Sequence, residues 1–349
     1  MDMLVAVALL CLCVGCAAHD SLSVECRQWL HKYGRGLSEG VEDVELCAVW
    51  AANMEYIQAH NENAHLHGYR LAMNQFGGLS TGEFISSTQC VQRVSPTNAS
   101  QLNILHNTTL FRDWSSVGGS SGAVGGDLPD TMDWRTSGIV TKVKDQLRCG
   151  SSYAFSSMAS LEGLHALAYK QLVKLSEQNI VDCSISFGNH GCVCGEVNKA
   201  LLYVIDNGGV DTWDGYPSGG DPYRSKQYAC SYSPAYWGAS ARGIVVLPSG
   251  SEASLLAAVG SMGPVSVHVD ATSTAFQFYS EGVLNVHYCS STVLSHALVV
   301  IGYGSLNGQD YWLVKNSWGP NWGIKGFGLL ARNNGNNCGI ATSASLPSL

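Results

Sequence analysis

Twelve consecutive residues, from Ser115 to Gly126, consist only of glycine, serine, valine and alanine. A stretch of this composition cannot bury a core, and it is a natural place for proteolytic cutting. The 349-residue chain is therefore expected to fold as two parts joined by a flexible linker. The second part begins near Leu128.

The first residues have the character of a secretory signal peptide. Leu4 to Val14 is a continuous apolar run, and the small residues Cys16-Ala17-Ala18 follow it at a plausible cleavage site. The run is too short for a bilayer span, which needs about 20 apolar residues. Thirteen cysteines are typical of an oxidising compartment, where disulfides persist. We predict a signal peptide at residues 1–18 and a protein that is secreted or held in secretory vesicles, with no membrane association after signal removal.

Two N-glycosylation sequons, at Asn98 and Asn107, lie just before the linker, as expected for an exposed and removable segment. The formal net charge is -8, and no basic run or stripe is present, which argues against a nucleic-acid partner. We expect neither a metal ion nor a cofactor.

The spacing of apolar residues predicts helices first and strands later. One set recurs at steps of three and four residues, which places its members on one face of a helix: Glu42, Leu46, Trp50, Asn53, Ile57 and Asn61. A second helix with a core-facing pattern is predicted from Ala154 to Tyr169. Short β-type runs follow at Val265–Val269, His296–Gly302 and Tyr311–Lys315, separated by glycine-rich turns. The pattern predicts an α+β fold with a helical half followed by a strand-rich half.

Three segments carry the candidate chemistry: Gln146–Ser156, Leu294–Gly304 and Trp312–Gly319. They resemble the active-site motifs of the papain and cathepsin L proteases, in which a Gln, a Cys at a helix start, a His and an Asn build the site. Leu128–Arg135 resembles the mature N-terminus of that family, and Ala72–Phe76 resembles a motif of its inhibitory pro-domain.

This resemblance implies a papain-like fold with a helical half and a β-barrel-like half. It also implies a propeptide at residues 19–127 that inhibits its own enzyme, with a helical pro-domain at about 26–86 and then the linker. The mature domain would cover residues 128–349.

The position that matches the catalytic cysteine is Ser152, and Tyr153 replaces the tryptophan that usually follows. A serine hydroxyl is too weak an acid to form a resting ion pair with histidine, so it needs a neutral histidine to take its proton during attack. The resemblance implies that His296 is this base and that Asn316 orients it. The side-chain amide of Gln146 and the backbone N–H of Ser152 would form the oxyanion hole.

The Ser152-Tyr153 pair, Ser176–Cys183 and Gly188–Cys192 resemble the silicateins, relatives of cathepsin L that organise and polymerise silica in sponges. The resemblance implies hydrolysis of silicon alkoxides, condensation of silicic acid, a templating role for silica and self-assembly into filaments. Two alternatives stay open: a catalytically silent papain-fold scaffold, and a weak cathepsin L-like peptidase.

The other cleft positions depart from the protease pattern in part. Gly195 is retained, but Cys194 replaces a glycine where the protease backbone pairs with a peptide. The resemblance implies that His268 lies in a wall of the main specificity pocket, as a silica-contacting donor or as an inert substitution. Ser295 replaces an Asn or Asp beside the catalytic histidine, and Trp318 would shield the His–Asn contact from water.

The family pairing implies three disulfides: Cys149–Cys192, Cys183–Cys230 and Cys289–Cys338. Among the seven cysteines of the mature part, Cys194 is then left over. We expect it to be a free thiol or to join another subunit.

Overall fold

The computed structural model describes residues 24–33, 41–93, 99–105, 109–117, 128–217 and 220–349. The predicted signal peptide, the two sequon asparagines Asn98 and Asn107, and linker residues 118–127 lie outside these ranges. Residues 115–117, which the sequence assigns to the linker, belong instead to a 3-10 turn, Trp114–Val117.

The pro-region contains helices and three short strands. Its elements are α1 (24–32), α2 (Val41–Glu62), α3 (Ala64–His67), β1 (Tyr69–Leu71), α4 (Thr81–Thr88), β2 (Gln92–Arg93), α5 (Ala99–Leu105) and β3 (Phe111–Asp113). Ser80 caps α4, since its side chain accepts from Glu83 N–H while the Glu83 carboxylate accepts from Ser80 N–H, which satisfies two otherwise orphaned donors.

The predicted face of α2 is confirmed from Leu46 to Ile57, whereas the side chain of Glu42 lies outside the described part of the chain. Trp50 and Ile57 are buried, and Asn53 is buried with them. The amide of Asn53 donates to the carbonyls of Gly77 and Leu79, at 2.8 and 3.0 Å. Polar residues recur on this apolar face because they hold the loop that follows β1.

The mature domain has its helices first and most of its strands later, as the sequence predicts. Its elements are β4 (Met132–Asp133), α6 (Ser152–Tyr169), α7 (Glu177–Cys183), α8 (Val197–Asp206), β5 (Val210–Asp211), β6 (Trp237–Ala239), β7 (Gly243–Val246), α9 (Glu252–Ser261), β8 (Val265–Val269), α10 (Thr274–Phe278), β9 (Tyr279–Leu284), β10 (Val293–Leu294), β11 (His296–Leu306), β12 (Gln309–Lys315), β13 (Phe327–Ala331) and β14 (Ala344–Ser348).

The main sheet runs in the order β1-β9-β13-β12-β11-β8-β14-β7-β3, with β4 added to β11. Its two outermost strands, β1 and β3, come from the pro-region. Strand β1 pairs antiparallel with β9, and β3 pairs parallel with β7. The pro-region is therefore hydrogen-bonded into the mature sheet at both ends.

Helix α6 lies between the two halves and is buried along most of its length. Two of its serines bond to backbone carbonyls of the strand-rich half: Ser156 Oγ donates to Leu298 O of β11 at 2.7 Å, and Ser160 Oγ donates to Pro264 O, just before β8, at 2.8 Å. These two bonds hold the first half of α6 against the strand-rich half.

A buried ionic cluster also joins the halves. Lys144 Nζ bonds to Glu162 of α6 at 2.9 Å and to Glu177 of α7 at 2.6 Å. Thr141 Oγ1 donates to Glu162 at 2.6 Å and accepts from Lys315 Nζ of β12 at 2.7 Å. Burial alone would raise the pKa of Glu162, but the charges of Lys144 and Lys315, together with hydrogen bonds from Thr141 and the Leu175 N–H, lower it.

No helix in the described ranges is both long and apolar enough to cross a membrane.

Candidate active site

Ser152 is the first residue of α6 and is almost fully buried, with 4% of its surface exposed. Its backbone N–H belongs to the first turn, where the helix provides no carbonyl partner, and the helix N-terminus favours negative charge. Its Oγ accepts a hydrogen bond from the backbone N–H of Ala297 at 3.1 Å. The hydroxyl thus lies against the first residues of β11.

His296 begins β11 and has a defined tautomer. Its Nε2 lies 2.8 Å from Asn316 Oδ1, which also accepts from the backbone N–H of Ser317 at 2.7 Å. Because an amide oxygen only accepts, Nε2 carries the proton and Nδ1 carries the lone pair. Among the described residues Nδ1 has no hydrogen-bond partner. Burial lowers the pKa of His296 to about 3, so the imidazole is neutral at physiological pH.

Trp318 covers this pair. Its ring centroid is 4.3 Å from that of His296, and its side chain is fully buried. Phe84 and Phe76 of the pro-region pack edge-on against the same indole, at 5.1 and 5.7 Å. The hydrophobic cover of the candidate base is therefore shared between the mature domain and the pro-region.

Gln146 is fully buried, and its amide orientation is fixed. Its Oε1 accepts from Ser317 Oγ at 2.6 Å, so that Nε2 is left as the donor. That donor bonds to Cys149 O at 2.7 Å and to Thr88 O of the pro-region at 2.8 Å. A backbone carbonyl of the pro-region thus occupies the donor that would stabilise an oxyanion.

Residues 88–93, which we call the cleft strap, cross the site. Gln89 Nε2 donates to Ala271 O at 2.9 Å, and Cys90 N donates to Ser295 O at 2.8 Å. Strand β2 then pairs with β10, immediately before His296. The site is therefore covered by the chain's own pro-region.

The remaining predicted cleft residues fall into two groups. Gly195 and Ser295 lie under the cleft strap: the Gly195 carbonyl accepts from Gln92 Nε2 at 3.5 Å, and the Ser295 carbonyl accepts from Cys90. Ser295 Oγ is engaged by Ala271 N–H at 3.0 Å. Its hydroxyl is thus used inside the fold.

Tyr153 is buried beneath the cleft wall formed by Gly191 and Gly195. It is 1% exposed, its hydroxyl donates to Gly191 O at 3.0 Å, and a Cβ added to Gly195 would come within 2.5 Å of its ring. His268 pairs with Ala297 across β8 and β11 and is half-buried. Its Nε2 has no partner among the described residues, and burial lowers its pKa.

The disulfides of the mature domain are Cys149–Cys192, Cys183–Cys230 and Cys289–Cys338, the pairs that the family resemblance implies. The expectation for Cys194 was wrong. It is neither a free thiol nor a link to another subunit, because it forms a disulfide with Cys90 of the pro-region.

Two contributors were missed from the sequence. Ser317 orients both Gln146 and Asn316. Its position between Asn316 and Trp318, in a motif already recognised, could have identified it as a site residue. Cys90 carried a weaker signal, namely a pro-region cysteine without an assigned partner. Within the described ranges, no group of three His, Cys, Asp or Glu side chains is arranged to hold a metal ion.

An asparagine-bound histidine next to a residue that bonds to a helix start, under an inhibitory pro-region, defines a papain-like hydrolase in its zymogen form. Residues 128–348 match the papain family of cysteine proteases, and residues 27–84 match the cathepsin propeptide inhibitor domain. The chain belongs to the papain family.

Its relatives include a silicatein and several cathepsins. The chain is 48% identical to the silicatein of Petrosia ficiformis over 304 residues, which is 86% of each protein. It is 37% identical to human cathepsin L2 over the full length of both chains. The solved structure of digestive procathepsin L 3 from the Tenebrio molitor larval midgut superposes with a TM-score of 0.81 and 37% identity, covering 94% of this chain and 99% of that one. The chain is thus a cathepsin L-like member with silicatein among its relatives.

Proposed function

We propose that the mature domain is a silicatein-type enzyme that hydrolyses silicon alkoxides and condenses silanols, with Ser152 as nucleophile. The observation that carries this proposal is the state of His296. It is neutral, its Nε2 proton is committed to Asn316, and its Nδ1 lone pair has no partner among the described residues. A weakly acidic hydroxyl requires such a base.

The proposed reaction begins when Ser152 Oγ turns from the Ala297 N–H toward His296 Nδ1. Oγ attacks silicon and forms an Si–O bond, while its proton passes to Nδ1. The Si–OR bond then breaks, and the alcohol leaves with that proton. Water or a second silanol then attacks silicon and gives its proton to His296 Nδ1. The bond between Ser152 Oγ and silicon breaks, and Oγ takes the proton from Nδ1, which restores the hydroxyl.

Two features favour silicon over an amide as the electrophile. Silicon expands its coordination readily, and an alkoxide leaves more easily than an amine, so a hydroxyl nucleophile suffices. In addition, Cys194 stands where the protease pattern has a glycine, at the edge that pairs with a peptide. Gln146 Nε2 and the Ser152 backbone N–H would stabilise charge on the oxygen bound to silicon.

The same proposal includes silica and silicic acid as partners, secretion through the signal peptide, and self-assembly of the mature protein into filaments. The formal charge of the mature part is close to neutral. Contact with silica would therefore rely on hydroxyl and amide groups rather than on a polycation.

The test measures silicon alkoxide turnover by the mature protein and by Ser152→Ala and His296→Ala variants. The matched controls are Ser137→Ala and His287→Ala, which change exposed residues of the same types. We expect the site variants to lose most of the turnover and the controls to keep it. Equal silica formation by wild type and Ser152→Ala would instead identify a silent scaffold, and ready hydrolysis of a peptide substrate would identify a peptidase.

A further inference from the structure

The cleft strap contacts both walls of the site. On one side, Cys90 N–H bonds to Ser295 O at 2.8 Å, and β2 pairs with β10. On the other side, Gln92 Nε2 reaches Gly195 O at 3.5 Å. The strap therefore closes the cleft from wall to wall.

Cys90 adds a covalent bond to these contacts. Its disulfide to Cys194 has a Cα–Cα distance of 5.1 Å, within the usual span of about 4.4–6.8 Å. Cys194 is itself held in place, because its carbonyl accepts from His190 N–H at 2.8 Å and the Cys149–Cys192 bridge lies two residues away. One residue of the strap is thus hydrogen-bonded to one wall and covalently bonded to the other.

We propose that this disulfide is a second lock on the zymogen, so that cutting the linker does not by itself release the pro-region. A cut between residues 118 and 127 breaks the chain on the C-terminal side of Cys90, and the fragment that carries the strap stays attached to Cys194. Activation then needs two events: hydrolysis of a peptide bond and opening of a disulfide. This proposal does not rest on silica chemistry.

The second event needs an external thiol. All ten cysteines in the described ranges are paired in five disulfides, so no thiol there can attack the bridge. The partner is a dithiol, either a small molecule or a protein with two neighbouring cysteines. One thiolate of the dithiol attacks Cys90 or Cys194 and forms a mixed disulfide.

The second thiolate of the dithiol then resolves the mixed disulfide. Two electrons pass to the Cys90–Cys194 pair, each sulfur of that pair gains a proton, and the dithiol becomes a disulfide. Until that exchange, a strap that leaves the cleft remains bonded to Cys194 and rebinds within the same molecule. A link of this kind raises the effective affinity of the strap for the cleft by about 10²–10⁴ over that of an unlinked fragment.

The experiment uses the full chain, purified from an oxidising host, with a site-specific protease sequence placed in residues 118–127. Wild type is compared with a Cys90→Ser/Cys194→Ser double variant, which leaves no unpaired thiol. The matched control is Cys26→Ser/Cys47→Ser, which removes a disulfide lying wholly inside the pro-region. Each cut protein is run on denaturing gels with and without dithiothreitol, and fragment release under native conditions is followed by size exclusion.

We expect cut wild type and the Cys26/Cys47 control to remain one covalent species without reductant and to separate with it. The Cys90/Cys194 variant should separate in both conditions, and it should release its fragment at least ~10²-fold faster than untreated wild type under native conditions. Separation of cut wild type without reductant would overturn the proposal.

Mapping the intact wild-type protein by mass spectrometry gives an independent answer, whether or not the variants fold. A linked pair of peptides containing Cys90 and Cys194 supports the lock. Alkylation of Cys90 as a free thiol, or its linkage to any other cysteine, refutes it.

Discussion

Replacing Asn316 by aspartate tests whether His296 acts as a general base toward Ser152. The Asn316 Oδ1 atom accepts two hydrogen bonds, from His296 Nε2 at 2.8 Å and from Ser317 N–H at 2.7 Å. A carboxylate can accept the same two bonds without moving either donor.

The expected size follows from Coulomb attraction. Two unit charges about 4 Å apart attract by about 4 kcal/mol at an effective dielectric constant near 20, and a neighbouring opposite charge changes a pKa by about 1 to 3. In the zymogen, burial lowers the pKa of His296 to about 3. Asn316→Asp acts in the opposite direction, because the carboxylate stabilises the imidazolium.

Stabilising the imidazolium of His296 determines the direction in which Asn316→Asp changes the pH profile of activity. The base works only when neutral, so activity is lost as the pH falls through the pKa of His296. Asn316→Asp should move this acid limb to higher pH by about 1 to 3. Above the limb, turnover should rise by about tenfold or more, because the imidazolium that forms during attack is stabilised.

The assay combines the pH profile of silicon alkoxide turnover by the mature protein with an NMR titration of the His296 ring. Asn334→Asp is the control for the charge change at an exposed asparagine, and Asn316→Ala is the control for loss of the acceptor. An Asn316→Asp protein that folds normally, yet keeps the wild-type acid limb and rate, would refute general-base catalysis by His296.

Three further changes have defined outcomes. Gln146→Ala removes an oxyanion donor and should lower kcat by about 10²–10³; steady-state kinetics would contradict this role if kcat stayed within a factor of two. Glu162→Gln should lower the free energy of unfolding by about 3–5 kcal/mol, because the buried cluster is left with two lysines, Lys144 and Lys315, and only the Glu177 carboxylate to balance them. Urea titration measures this change. Its control is Glu196→Gln, which breaks the partly exposed Glu196–Lys199 pair and should change the free energy of unfolding by less than about 1 kcal/mol. Phe84→Ala removes a fully buried ring that packs against Trp318, and it should lower the free energy of unfolding by about 3–5 kcal/mol. The loss should be seen as faster hydrogen exchange across β1 and β9. Unchanged exchange there would show that Phe84 does not hold the pro-region in place.

Much of the fold could be predicted from the sequence, because helices and strands are marked by the spacing of residues that are close together in the chain. The spacing of Trp50, Asn53 and Ile57 predicts one helix face, and those side chains are buried together. The order of helices and strands in the mature part was also predicted correctly. Periodic patterns of this kind depend on neighbours only a few residues away, and burial enforces them.

From the sequence we could predict only which residues belong to the candidate site. The family resemblance groups Gln146, His296 and Asn316, but it does not say which of their atoms already have hydrogen-bond partners. The engagement of Gln146 by Thr88 O depends on residues 58 positions apart, and no pattern in the sequence marks that carbonyl. The Cys90–Cys194 bridge spans 104 residues, and cysteine pairing at such distances cannot be deduced from spacing.

The placement of β1 and β3 at the two ends of the main sheet has a consequence for the mature protein. While they are in place, the outward N–H and C=O groups of β9 and β7 are paired. Once the pro-region departs, both strands become open edges, and an unpaired edge is a template for strand addition by another chain. Removal of the pro-region therefore exposes new surfaces for contact with other copies of the chain, since the part that covers the candidate catalytic residues also terminates the sheet. As long as Cys90 stays bonded to Cys194, a protein already cut in its linker still carries both covers.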